Sequence, residues 1–136
     1  MKTLSAGKFL LFFCLFLISG KGMAQDLERF RANAVAFNYL DGDGWSDYED
    51  TSVLITFDYD LDRITVYSES RQIYDIIADE GEEIDDDGDT WQNYRAIDQD
   101  GDECRFRILN MANGDPTQFY VEFSFIKWVF RVVELS

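Results

Sequence analysis

The clearest regularity along the chain is strict alternation. Phe119, Val121, Phe123 and Phe125 alternate with Tyr120, Glu122 and Ser124, and Ile126, Trp128, Phe130 and Val132 alternate with Lys127, Val129 and Arg131. A period of two sends successive side chains to opposite faces of an extended strand, so each segment offers one apolar face. Val53 to Phe57 and Arg63 to Tyr67 are β-branched and aromatic runs on either side of the Asp-rich segment Asp58 to Asp62, which predicts a hairpin. Gln72 to Ala78 predicts the next strand. Trp91 to Asp98 and Glu103 to Met111 predict another pair, joined at Asp100 and Gly101, where both residues tolerate the positive φ of a two-residue turn. Asn113 to Pro116 is a further turn.

Two stretches break the pattern. In Gln25 to Ala36, Leu27, Phe30, Arg31 and Ala34 would share one face of a helix, while a first strand from Ala34 to Tyr39 fits equally well. In Asp79 to Asp89, eight of eleven residues are acidic and none is basic, which excludes a core strand and predicts a solvated loop or a segment organised by a cation. The remainder amounts to seven or eight short strands in sequential order, with turns roughly every 8–12 residues. That order predicts an all-β fold, a small antiparallel up-and-down barrel or strongly curled meander, with a β-sandwich as the alternative. Closure removes the exposed edges that would make Phe-rich strands aggregate.

Residues 1–24 have the parts of a secretory signal. Lys2 and Lys8 precede the apolar run Phe9 to Ile18, and Gly22 and Ala24 are the small residues before the cut, placed after Ala24. The run is shorter than the ~20 apolar residues of a membrane span. Cys14 follows Phe13 rather than the small residue a lipid-attachment signal requires. The expectation is a single all-β domain over 25–136, periplasmic or secreted. Taking 24 residues from 136 leaves 112, with nine Lys and Arg against 27 Asp and Glu, a formal charge of −18 against −15 for the whole sequence. Such a charge repels nucleic acid and anionic lipid. Only Cys104 remains after cleavage, so no internal disulfide can form. Cys104, Phe106 and Ile108 fall on one face and Arg105 and Arg107 on the other, which predicts a buried, inert thiol.

The chain contains no His. That removes Ser-His-Asp and Cys-His catalysis and imidazole metal ligation. The carboxylates are the remaining candidate chemistry. Hard oxygen donors at alternate positions around a Gly suit calcium, which directs attention to Asp85, Asp87 and Asp89, and next to Asp41, Asp43 and Asp47. Neither Gly88 nor Gly101 completes an EF-hand register, because position 12 falls on Tyr94 or Arg107. A carboxylate hydrolase would need a buried acid with a raised pKa, and clusters in turns are poor places for one. Tyr39, Trp45 and Tyr48 lie in or beside a Gly/Asp-rich loop. They either offer a platform for a ligand or partner, or Trp45 folds back to plug one end of the barrel. Trp91 and Trp128 are assigned to the core.

The order of a loop at Trp45, the hairpin Val53 to Tyr67, Tyr74 to Ile76, Tyr94 to Asp98 followed by Gly101 and Cys104, Gln118 to Phe123, and Trp128 to Phe130 resembles the short, uncharacterised secreted proteins common in gut-type Gram-negative bacteria. The Ala24–Gln25 cleavage context is similar to theirs. The resemblance implies an exported β protein and carries no catalytic residue, cofactor or substrate. The resulting expectation is a non-enzymatic binding module, monomeric or weakly oligomeric, for a basic protein partner or a small ligand. A calcium-stabilised structural module is the alternative, and a carboxylate hydrolase comes third.

Overall fold

The computed structural model describes residues 27–135. The expected signal segment 1–24 and its expected cleavage point lie outside the described residues. The strands are β1 (Leu27–Tyr39), β2 (Gly44–Trp45), β3 (Glu49–Asp58), β4 (Arg63–Tyr67), β5 (Gln72–Ile84), β6 (Thr90–Asp98), β7 (Glu103–Asn110), β8 (Gln118–Glu122) and β9 (Ile126–Leu135). Each pairs antiparallel with its neighbour in chain order, apart from β2, and β1 closes on β9 from Arg29 opposite Leu135 to Tyr39 opposite Ile126. The result is a closed eight-stranded up-and-down barrel. The short β2 pairs with the end of β1 through Asn38–Trp45 and Tyr39–Gly44, continuing the line of β3 along the same edge.

Eight strands enclose a space just wide enough for side chains to fill, and here they fill it. Phe57, Phe106 and Phe119 are fully buried at the centre with Ile55, Ile64, Val66, Val121 and Val132. The ring of Phe119 lies 4.9 Å from Phe30, 5.3 Å from Phe57 and 5.6 Å from Phe106. Cys104 is buried as expected, and burial pushes its thiol up to about 12, with the carboxylates of Asp98 and Glu103 adding to the effect.

The helical reading of Gln25 to Ala36 is overturned, since β1 runs from Leu27. The cause is a bulge between Ala32 and Ala34. Phe30 and Ala32 face the core before it and Val35 and Phe37 after it, so the inward parity shifts and the apolar spacing mimics a helical turn. The acidic block is also corrected. Asp79 to Ile84 belongs to β5, which outruns its neighbour β4 and pairs on that stretch with β6 alone, through bulges at Ile76/Ala78 and Asp79/Gly81. A strand that projects past the barrel wall needs no apolar face, so acids and strand geometry coexist there.

The acid-rich turns have their own logic. Asp85 to Asp89 and Asp98 to Asp102 share the order Asp-x-Asp-Gly-Asp. In each, the first Asp Oδ1 accepts from the backbone N–H groups two and four residues on, at 2.9–3.0 Å. In each, the Gly N–H donates to the first residue's carbonyl, and φ at Gly88 and Gly101 is +84° and +87°. Asp100 keeps a negative φ, so the hairpin expected to be a two-residue turn is a three-residue loop with a bulged Gly. Asp58 Oδ1 likewise accepts from the N–H groups of Asp60 and Leu61.

Candidate functional site

In a meander, alternate connections meet at the same end of the barrel. The 68–71 link, the 99–102 turn and the 123–125 turn converge with the end of β1, and between them lies an open cleft of about 660 Å³. Five aromatic side chains line it: Tyr39, Tyr74, Phe123, Phe125 and Trp128. Phe123 is the hub, with its ring 5.6 Å from Trp128, 5.9 Å from Phe125 and 6.5 Å from Tyr74. The floor is thus continuous with the barrel core, while Tyr39 and Phe125 stand at the rim 59% and 62% exposed. Exposed rings beside a concavity are more informative than scattered surface hydrophobics.

The polar rim comes from Ser70, Arg71, Gln72, Asp98, Gln99, Asp100 and Asp102. Two glutamines brace it. Gln99 accepts from the Ile73 N–H at 2.9 Å and donates to the Arg71 carbonyl at 2.9 Å, tying one turn to the next. The Tyr74 hydroxyl donates to Gln72 Oε1 at 2.6 Å. Burial above all, with the Cys104 thiol and the Asp98 carboxylate adding, raises the Tyr74 pKa well above its ordinary value, so this hydroxyl remains a donor. Asp98 is committed to its turn, whereas the side chains of Asp100 and Asp102 make no hydrogen bond or ion pair with the described residues. The Trp128 indole N–H is buried without an acceptor among the described residues.

The three aromatic residues singled out in the sequence are split by the structure. Tyr39 belongs to the cleft, but Trp45 and Tyr48 lie on the outer wall. Trp45 neither plugs the barrel nor projects freely. Its ring packs edge-on at 6.0 Å against Tyr120, across the outward row formed by Ala36, Val129 and Tyr120. Ala36 and Val129 are buried although they point outward, because small side chains in β1 leave room for this covering layer. Tyr48 lies under the Arg131 guanidinium at 4.1 Å and its hydroxyl accepts from Gln118 at 3.3 Å. Trp91, assigned to the core from sequence, is also on the outer wall, 5.3 Å from Tyr120 and beneath Arg107 at 4.1 Å. Arg107 donates to Asn93 and reaches Glu83 and Glu122, and Glu80 pairs with Arg95 and Arg105. Trp128 does face the core, as expected, and lines the cleft as well.

Of the metal candidates, Asp85, Asp87 and Asp89 gather, with carboxylate oxygens all within 4.8 Å of one another. Asp85 is already engaged. Its Oδ2 accepts from the Trp91 indole N–H at 3.0 Å, and this bond, ahead of the backbone N–H groups of Asp89 and Asp87 and against some desolvation, lowers its pKa. Asp89 accepts from the Ala112 N–H at 2.8 Å. Asp41, Asp43 and Asp47 form no such group.

At the opposite end a smaller cleft of about 330 Å³ sits over Phe30, Phe57 and Phe119, with Glu28, Glu82 and Glu134 at its edge. The Tyr59 hydroxyl donates to Glu28 there, and burial together with that carboxylate raises its pKa. No Asp or Glu among the described residues is buried, and no helix among them is long and apolar enough to cross a membrane. No protein-family model matches the chain, and no curated protein or solved structure is significantly similar to it.

The sequence reading missed Tyr74, Phe123 and Phe125 as contact residues. The signal that points to them is topological. Once the strands run in simple succession, every second connection lies at one end, so Tyr74 just after the 68–71 link and Phe123 and Phe125 in the 123–125 turn are brought together there.

Proposed function

We propose that the protein is an exported, non-enzymatic binding module that takes a small ligand in the aromatic mouth of its barrel. The observation that carries this reading is the 660 Å³ cleft lined by five aromatic side chains. Its size falls within the roughly 300–1,000 Å³ range of small-ligand sites. The packed Phe centre directs a ligand to the mouth rather than the interior. The missing His and the absence of buried carboxylates among the described residues support binding over catalysis, since burial is one of the main ways a carboxyl is kept protonated for acid catalysis. On the outer wall the acids Glu80, Glu83 and Glu122 are already paired with Arg. This makes that wall a weaker place for a basic protein partner.

The test is titration of the full chain with a neutral naphthylamine dye, following dye emission and the Trp128 indole resonance together. Saturable binding that moves Trp128 and weakens at least about fivefold in Tyr39→Ala and Phe125→Ala is the expected result. Binding that both variants retain undiminished refutes the site.

The calcium-stabilised reading retains one observation in its favour, the close approach of Asp85, Asp87 and Asp89. A melting temperature that is the same in millimolar calcium and in excess EDTA ends it.

A further inference from the structure

The mouth brings together aromatic faces and the carboxylates of Asp100 and Asp102, which have no partner among the described residues. Asp98, Asp100 and Asp102 line it against a single Arg71, so the lining carries a net −2. The whole chain adds to that field with its −15. An anion entering here would meet repulsion from both the rim and the molecule. A neutral apolar ligand would use the rings but leave the rim charges with nothing to do.

A bare metal ion fits poorly. Calcium requires six to eight oxygen ligands converging on one point, whereas the carboxylates of Asp98, Asp100 and Asp102 do not gather as those of Asp85, Asp87 and Asp89 do, and Asp98 is held in its turn by two backbone N–H groups. A weakly hydrated organic cation fits both halves. Its positive charge is attracted to the ring faces and to Asp100 and Asp102, and its carbon groups cover Phe123 and Phe125. Resting on the reading that the mouth is a ligand site, we propose that its ligand is a small organic cation, an alkylated ammonium held between the aromatic floor and the carboxylates of Asp100 and Asp102.

Choline and its uncharged carbon isostere 3,3-dimethylbutan-1-ol make a matched pair of probes of nearly the same shape. Titration of the full chain at low ionic strength, read from the Trp128 indole resonance, should give choline about a tenfold advantage, the scale of one cation–π contact with a carboxylate nearby. Added salt should shrink that advantage. The double variant Asp100→Asn, Asp102→Asn should lose most of the preference while binding the isostere as before. Its melting temperature should match the parent, because Asp98 and Gly101 hold that turn. Equal affinity for choline and the isostere overturns the cationic assignment and leaves the mouth site standing. Failure of both probes and the naphthylamine dye to perturb Trp128 overturns the mouth site and the cationic assignment together.

Discussion

Replacing Phe119 by alanine removes the ring on which the barrel packing converges. Phe119 is fully buried and touches Phe30, Phe57 and Phe106, which come from three other strands. Truncation of such a residue costs ~3–5 kcal/mol, the lost transfer energy plus a cavity that the neighbours cannot close. Collapse is limited here because strand number and tilt fix the radius of the barrel. Against a total stability of ~5–15 kcal/mol the variant becomes marginal. At ~4 °C per kcal/mol for a domain just over a hundred residues, its Tm falls by ~12–20 °C. Reversible urea unfolding followed by Trp emission measures the loss. Phe119→Leu, which keeps most of the volume, should cost less than about half as much. Phe125→Ala, at the exposed rim, should stay within ~1 kcal/mol of the parent. If Phe119→Ala is no more destabilising than Phe125→Ala, the interior is not packed as described, and the reason for placing a ligand at the mouth disappears with it.

Other variants test the turns and the outer layer. Trp45→Ala should cost ~1–2 kcal/mol by uncovering Ala36 and Val129 and removing the edge-on pair with Tyr120, measured by the same urea titration. Gly88→Ala and Gly101→Ala should each cost ~1 kcal/mol from left-handed strain alone, since an added Cβ meets only Ala112 at 3.8 Å in the first case and nothing in the second. The lowered Asp85 pKa means that its contribution to the 85–89 hairpin is full above the ordinary Asp value and is lost as pH falls through the folded value. The Trp91 indole proton should therefore exchange faster with solvent in acid, and in Asp85→Asn that acid limb should vanish. Cys104 should resist thiol reagents at pH 8 in the native chain and react at once in urea, because its thiol is neutral until pH approaches about 12.

Much of the fold was legible because most strands keep one apolar face. Phe119 and Val121, and Ile64 and Val66, announce their inward sides by alternation, and hairpins in succession leave a meander as the simplest topology. Legibility failed where pairing, rather than burial, makes the strand. The β1 bulge at Ala32 hides its parity, and residues 79–84 are extended because β6 holds them, with no apolar pattern to show it. The candidate site was legible only at Tyr39. Its other rings belong to segments far apart in sequence that the topology gathers, and no local pattern marks them. Asp-x-Asp-Gly-Asp is ambiguous in sequence because turn formation and cation ligation both need an oxygen acceptor beside a Gly, and in both turns the first Asp Oδ1 accepts from backbone N–H groups.

The seam between β1 and β9 sets an order of events for the growing chain. The first strand made must wait for the last, since Arg29 faces Leu135 and Phe37 faces Trp128 across it. Until β9 is available, β1 has one unclaimed edge and the Phe-rich interior has no final wall, so the barrel cannot close on its other strands alone. Long-range pairings of this kind fold slowly, on the scale of milliseconds to seconds.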